Sequence, residues 1–177
     1  MIFSKFLIIP FALILFISPF KTSAQSSDSL VAQLARKWEN AKVYALDMAE
    51  LMPEEFYDFK PVPEEMSFRE QLLHIVQNMQ WLSTSYLFED KNKTGKDAKP
   101  KDKASVIKML NNAYNIGLNA HKNISTKQLN EIVPFFAGPM SRRQILILMH
   151  DHQTHHLGQI IVYLRLKGIK PPDYVGW

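Results

Sequence analysis

The sequence contains no cysteine among its 177 residues. This absence excludes disulfide bonds, thiolate metal sites and cysteine nucleophiles, so packing or a metal on other ligands must stabilise the fold. An excess of charge of one sign is also lacking, because Lys and Arg total 21 while Asp and Glu total 17. The formal net charge is +4, and without Lys5 and Lys21 of the first 24 residues it is 19 minus 17, or +2, which is too small to indicate a nucleic-acid-binding protein.

Long apolar runs are scarce, and the one that exists lies near the amino terminus. Residues 6–20 form a run of 15 that is apolar apart from Ser18. A membrane span needs about 20 apolar residues, so this run is more typical of a signal peptide that is cleaved before Gln25. We therefore expect residues 1–24 to be a signal peptide and the protein to be exported, as a periplasmic or secreted protein. No stable membrane span would then remain in the mature domain, residues 25–177. The alternative is that the apolar run is not cleaved and stays as an amino-terminal membrane anchor.

Strand-like alternation and Gly-rich phosphate loops are absent as well, but apolar residues recur every three or four positions in four segments. The predicted helices cover residues 28–51, 67–88, 103–121 and 141–167. Ser67 with Glu70, and Ser141 with Gln144, match the capping box that begins a helix. Gly168 is placed to end the fourth helix. The predicted fold class is all-α, a four-helix bundle that follows the signal peptide.

The links between these helices are long. They span about residues 52–66, 89–102 and 122–140, so neighbouring helices need not be antiparallel. The middle link carries five lysines and few apolar residues, which predicts a solvated loop. A basic contact patch for an acidic partner is the alternative interpretation of these lysines.

Histidines crowd into one short part of the fourth predicted helix. Four of the six lie within seven positions: His150, His152, His155 and His156. At about 100° per residue, His152 and His156 project from the same face, where the apolar stripe of the helix continues. Two neutral, hydrogen-bonded core histidines are the simpler interpretation. However, each buried ring atom without a partner costs about 1–3 kcal/mol, and a divalent cation would take up one acceptor from each ring.

A third ligand must come from another helix. His74 is the natural candidate, because it lies in the middle of the second helix on an inward edge with Asn78. His121 is set aside as an exposed residue at a helix end, and His150 as pointing away from the ligand face. We therefore predict a metal on His74, His152 and His156, with no competing carboxylate site. Four polar side chains are candidates to line the cavity: Asn78, Gln159, Tyr57 and Tyr86.

Two stretches of the chain resemble the DinB-like (DinB/YfiT) family of metal-dependent enzymes. The first runs from Tyr57 to Pro63 and continues at Gln71-Leu72-Leu73-His74-Ile75. The second is His152-x-x-x-His156-Leu157-Gly158-Gln159, followed by Gly168-Ile169-Lys170-Pro171-Pro172. The resemblance covers the mature chain nearly end to end.

This resemblance implies a four-helix bundle with a crossover order and a divalent metal, zinc, nickel or iron, on three histidines. Carried over, these are His74, His152 and His156, with His155 as a weaker contender. Relatives often carry Arg after the last ligand, whereas this chain has Leu157. The resemblance also implies pairing into a homodimer through helix faces.

For function, the resemblance and the predicted ligands favour a metal-dependent enzyme that acts on a small molecule. Its reaction would be either transfer to a thiol, like that of thiol S-transferases, or hydrolysis. Export weakens the thiol interpretation, because such thiol cofactors are mainly cytoplasmic. Two alternatives stay open: a metal-binding module without catalysis, and a structural or interaction bundle whose histidines are only packed.

Overall fold

The computed structural model describes residues 27–88 and 100–177. The predicted signal peptide and most of the lysine-rich link lie outside these residues. In chain order, the elements are α1 (Ser27–Leu51), α2 (Phe68–Leu82), α3 (Lys103–Asn123), α4 (Thr126–Leu129), β1 (Ile132–Val133), β2 (Met140–Ser141) and α5 (Arg142–Leu166). A 3-10 turn covers Glu54–Phe56, and a π-helical turn, Ser83–Leu87, extends α2.

The four long helices confirm the predicted bundle. Their bounds differ from the prediction by one or two residues, except that the regular part of α2 stops at Leu82. The third link is not a plain loop, because it contains α4 and a two-stranded hairpin in which β1 pairs antiparallel with β2. Within the described ranges, no helix is both long enough and apolar enough to cross a membrane.

Local side-chain chemistry sets the helix ends as the sequence predicts. The Ser67 hydroxyl accepts from the Glu70 amide, and the Glu70 carboxylate accepts from the Ser67 amide at 2.7 Å. Ser141 and Gln144 repeat this capping box at the start of α5. Gly168 follows α5 with φ of +70°, a left-handed conformation that favours glycine, and so ends the helix.

The order of the helices in space differs from their order in sequence. Helix α1 packs against α3 and α5, and α2 packs against the same two helices, so α1 and α2 lie diagonally across the bundle. Helices α2 and α5 run antiparallel: the Tyr86 carbonyl accepts from Arg142, His74 adjoins His152, and Tyr163 donates to the Met66 carbonyl. This pairing aligns the middle of α2 with the middle of α5.

The core between α1 and α3 is built around Trp38, which is fully buried. Its indole Nε1 donates to the Tyr114 carbonyl at 2.9 Å. A Cβ atom at position 117 would lie 2.5 Å from Cζ2 of Trp38, so the close approach of the two helices requires Gly117. The Tyr114 hydroxyl donates to Oε1 of Gln153 at 2.8 Å, which ties α3 to α5.

Candidate metal centre

The structure brings together the three histidines that the sequence predicts as ligands. His74 projects from α2, and His152 and His156 project from adjacent turns of α5. One ring nitrogen from each lies within 4.8 Å of the others. Nε2 of His74 is 3.1 Å from Nε2 of His152, and the ring centroids are 4.5 to 4.9 Å apart.

This spacing suits a single ion between the rings. Two imidazole nitrogens that bind one tetrahedral zinc ion at about 2.0–2.1 Å lie roughly 3.4 Å apart. The 3.1 Å between His74 and His152 is close to that value. Three imidazoles with no carboxylate form a donor set that suits zinc, nickel or iron.

A hydrogen bond fixes the orientation of the third ring. Nδ1 of His156 donates to Oε1 of Gln71 at 2.6 Å, which leaves the lone pair of Nε2 free. Gln71 donates in turn to the Tyr163 hydroxyl at 3.4 Å, and Tyr163 donates to the Met66 carbonyl at 2.5 Å. Sequence reasoning missed Gln71, although an amide on the buried face of α2, three residues before His74, is the signal that could have revealed it.

Electrostatics keep the three rings neutral near pH 7. Burial, followed by the neighbouring histidine rings, lowers the pKa of His152 and of His156 to about 4. Burial also lowers the pKa of His74. Neutral imidazoles offer lone pairs to a cation, so the free protein is already in the protonation state that metal binding needs. His74 also lines an open pocket of 610 Å³, which makes the ring reachable from solvent.

The candidate lining residues have different surroundings. Oδ1 of Asn78 and Oε1 of Gln159 are buried and have no hydrogen-bond partner within residues 27–88 and 100–177. Each lies one helical turn from a candidate ligand, Asn78 after His74 and Gln159 after His156. The prediction for Tyr57 is wrong, because this side chain is fully buried and its hydroxyl donates to the Ala49 carbonyl at 2.7 Å. Tyr86 lies beyond the end of α2, against Trp81.

His155 does not join the group. Its side chain is exposed, and its Nε2 lies 3.2 Å from Nε2 of Gln159 rather than beside the three ligand nitrogens. Its ring packs edge-on against His156 at 5.0 Å.

The prediction that His121 is exposed is wrong. The ring is fully buried and forms a second histidine group with His150, whose side chain is 4% exposed. Nδ1 of His121 donates to the Gly117 carbonyl at 2.7 Å, so its Nε2 accepts from Nε2 of His150 at 2.8 Å. His121 lies seven residues after the buried Tyr114, and this helical spacing could have indicated its burial.

Comparisons with known proteins agree with this architecture. The model of the DinB family matches residues 22–176. A DinB-like protein from Bacillus subtilis, YjoA, is 17% identical with a TM-score of 0.68, covering 80% of this chain and 96% of that chain. A DinB-like protein from Bacillus cereus is 20% identical with a TM-score of 0.67, covering 81% and 97%.

A third solved structure is YfiT from Bacillus subtilis, described as a probable metal-dependent hydrolase with an unusual four-helix bundle topology. It is 16% identical with a TM-score of 0.64, covering 87% of this chain and 97% of that chain. No curated protein matches the chain in sequence. Identities this low show a shared fold, and the family model spans almost the whole sequence, so this chain belongs to the DinB family.

Proposed function

We propose that this protein is a metal-dependent enzyme, most simply a hydrolase, whose divalent ion is held by His74, His152 and His156. One observation carries the proposal: three neutral imidazoles from two helices converge with their ligand nitrogens within 4.8 Å. The ring centroids lie 4.5 to 4.9 Å apart, and a shared cation would occupy the lone pairs that the neutral rings direct at one another.

The residues of the chain have separate roles in this proposal. The histidines bind the ion, and three protein ligands leave a coordination position open, as catalytic sites do. A divalent ion held there supplies Lewis-acid activation of water and of a substrate carbonyl or phosphoryl group. Gln71 holds the ring of His156 in position, while the buried oxygens of Asn78 and Gln159 accept from N–H or O–H groups of the substrate.

Hydrolysis is favoured over thiol transfer because it needs only water as the second reactant. The description of YfiT as a probable metal-dependent hydrolase supports the same choice. A module that binds the ion without catalysis is the second candidate. It is favoured by the composition of the group, which within the described residues contains histidines and no carboxylate to act as a general base.

The test begins with the metal content of the protein purified without a histidine-rich tag. Elemental mass spectrometry should find about one divalent ion per chain. His74→Ala and His152→Ala should each weaken binding more than a hundredfold, since even a residue that only orients a ligand contributes ten- to a hundredfold. His155→Ala is the matched control, because this exposed histidine adjoins a ligand and should leave the metal content unchanged.

Activity is then measured on panels of esters, amides and phosphoesters, and on thiol transfer, with metal removed and restored. We expect hydrolysis that disappears with a chelator and returns with the ion. Activity that survives complete metal loss would refute the proposal. Stoichiometric metal without any turnover on these panels would favour the binding module.

Export and pairing into a homodimer remain proposals of their own. Amino-terminal sequencing of the protein recovered from the cell envelope or medium should locate cleavage before Gln25. Light scattering of the purified protein should give twice the mass of the chain.

A further inference from the structure

Four aromatic side chains form a cluster at the end of α2, which we call the aromatic cluster: Trp81, Tyr86, Phe135 and Phe136. Phe135 packs against Trp81 at 5.7 Å, against Tyr86 at 5.4 Å and against Phe136 at 4.5 Å between ring centroids. Phe136 is nevertheless 82% exposed and Trp81 39% exposed. Contiguous exposed rings of this kind are unusual on a soluble protein and typically mark a binding surface.

The cluster lies on the same side of α2 as the candidate metal centre. Trp81 is seven residues after His74, so the two side chains share a face and are separated by about 10 Å along the helix axis. Phe135 and Phe136 lie in the hairpin between β1 and β2, directly before α5, which carries the other two ligands. Arg142 donates to the Tyr86 carbonyl at 2.7 Å, and this hydrogen bond links the start of α5 to the π-helical turn that follows α2.

An unsatisfied acceptor lies between the two groups. Asn78 is one turn after His74 and three residues before Trp81, and its Oδ1 is buried without a partner in the described part of the chain. A buried acceptor of this kind is unfavourable until a donor reaches it. Asn78 therefore lies between His74 and Trp81 on α2, and a ligand that spans the two groups would supply the donor once the side chain of Asn78 turns towards it.

We propose that the aromatic cluster sets the specificity of the metal centre, by stacking a flat apolar group of the substrate about 10 Å from the group that faces the ion. This inference rests on the proposed metal-dependent function. Two properties of the cluster favour a small-molecule ring as its occupant. It continues the face that bears His74, and its tilted, partly exposed rings offer both edges and faces to another aromatic group.

The experiment compares two chelators on the zinc-loaded protein by isothermal titration calorimetry. Butanohydroxamate binds a divalent ion through its two oxygens, and its ω-phenyl derivative adds a ring at the far end of the chain. We expect the phenyl group to tighten binding about tenfold, an amount typical of burying an aromatic ring partly. Trp81→Ala should abolish that gain while butanohydroxamate still binds and zinc remains at one ion per chain.

Two further variants, both at exposed positions, test whether the loss of the phenyl gain in Trp81→Ala comes from misfolding. Phe136→Ser changes a ring that is 82% exposed, so it should fold normally and lose part of the gain. Trp177→Ala changes a ring that is 72% exposed at the carboxyl terminus and should keep the whole gain.

The outcomes separate this inference from the proposed function. If zinc and butanohydroxamate both fail to bind, the proposed metal function itself is refuted. If butanohydroxamate binds but the phenyl group adds nothing, or its gain survives in Trp81→Ala, the specificity role is refuted. A surviving gain together with a lower mass of Trp81→Ala by light scattering would assign the aromatic cluster to a contact between two chains.

Discussion

Two groups of histidine rings lie on opposite sides of α5, and they differ in what their nitrogens contact. In the closed pair, His121 and His150 donate and accept directly across 2.8 Å, and Trp38 packs against both rings at 4.9 and 5.1 Å. In the open trio, Nε2 of His74 lies 3.1 Å from Nε2 of His152, the nitrogens of all three rings lie within 4.8 Å of one another, and His74 borders an open pocket.

The two groups differ in number and in access: the trio brings three rings together beside an open pocket, whereas the closed pair has two rings packed against Trp38. His121 uses both nitrogens within the protein, on Gly117 and His150. In the trio, Gln71 takes only the Nδ1 proton of His156 and leaves Nε2 for a ligand. The closed pair should therefore support the fold, and the open trio should bind the ion.

The largest expected effect on stability is that of replacing His150, and it tests whether the closed pair is structural. We expect His150→Ala to lower the free energy of unfolding by about 2–4 kcal/mol, because it leaves a cavity beside Trp38 and removes the partner of the buried Nε2 of His121. The metal content should stay at one ion per chain. Urea unfolding measures the free energy, and elemental analysis measures the metal content. His152→Ala is expected to show the reverse: loss of the metal with a smaller change in the stability of the metal-free protein. Loss of metal at full stability in His150→Ala would make the closed pair part of the metal site.

A smaller effect, on zinc affinity, tests the role assigned to Gln71. Gln71→Leu keeps the size of the side chain but removes the acceptor of the His156 Nδ1 proton, so zinc affinity should fall about ten- to a hundredfold. Competition with a coloured chelator measures this change. Gln77→Leu, at an exposed position of the same helix, is the control and should bind zinc as the unaltered protein does. Equal affinity in Gln71→Leu would show that the trio orients itself without the amide.

A third effect, which is absent near pH 7 and develops only on acidification, is a dependence of stability on pH. Burial lowers the pKa of His150 to about 3 and that of His152 and His156 to about 4. Between these values and the ordinary pKa of about 6.5, the unfolded chain binds protons that the folded chain does not. The free energy of unfolding of the metal-free protein should therefore be constant above pH 7 and fall as the pH drops from about 6.5 towards 4.

Zinc distinguishes the contributions to this dependence. The extra stability that zinc confers should be present at pH 7 and decline as the pH approaches about 4, because protons compete for His152 and His156 only near their lowered pKa. The part of the pH dependence that is the same with and without zinc includes the contribution of the closed pair, His121 and His150. Unfolding curves with and without zinc across this range provide the measurement, and a stability that rises on acidification would contradict the assigned burial of the rings.

Sequence reasoning identified features that depend on local spacing. The four helices, both capping boxes and the pair His152 and His156 follow from periods of three and four residues. The short hairpin escaped prediction, because two-residue strands carry no measurable alternation. Gln71 and His121 escaped for another reason: their partners are 85 and 29 residues away in the sequence, and only the packing of helices reveals those distances.

The placement of histidines on opposite sides of α5 has a mechanical consequence. A helix whose contacts were confined to the side of His152 and His156 would be free to rotate about its axis, and such a rotation would move these imidazoles away from His74. Here His150 packs against Trp38 of α1, and Gln153 accepts from the Tyr114 hydroxyl of α3. These two separate contacts oppose such a rotation, and the second remains in His150→Ala. The close packing of Trp38 against Gly117 therefore contributes to the orientation of the candidate metal ligands.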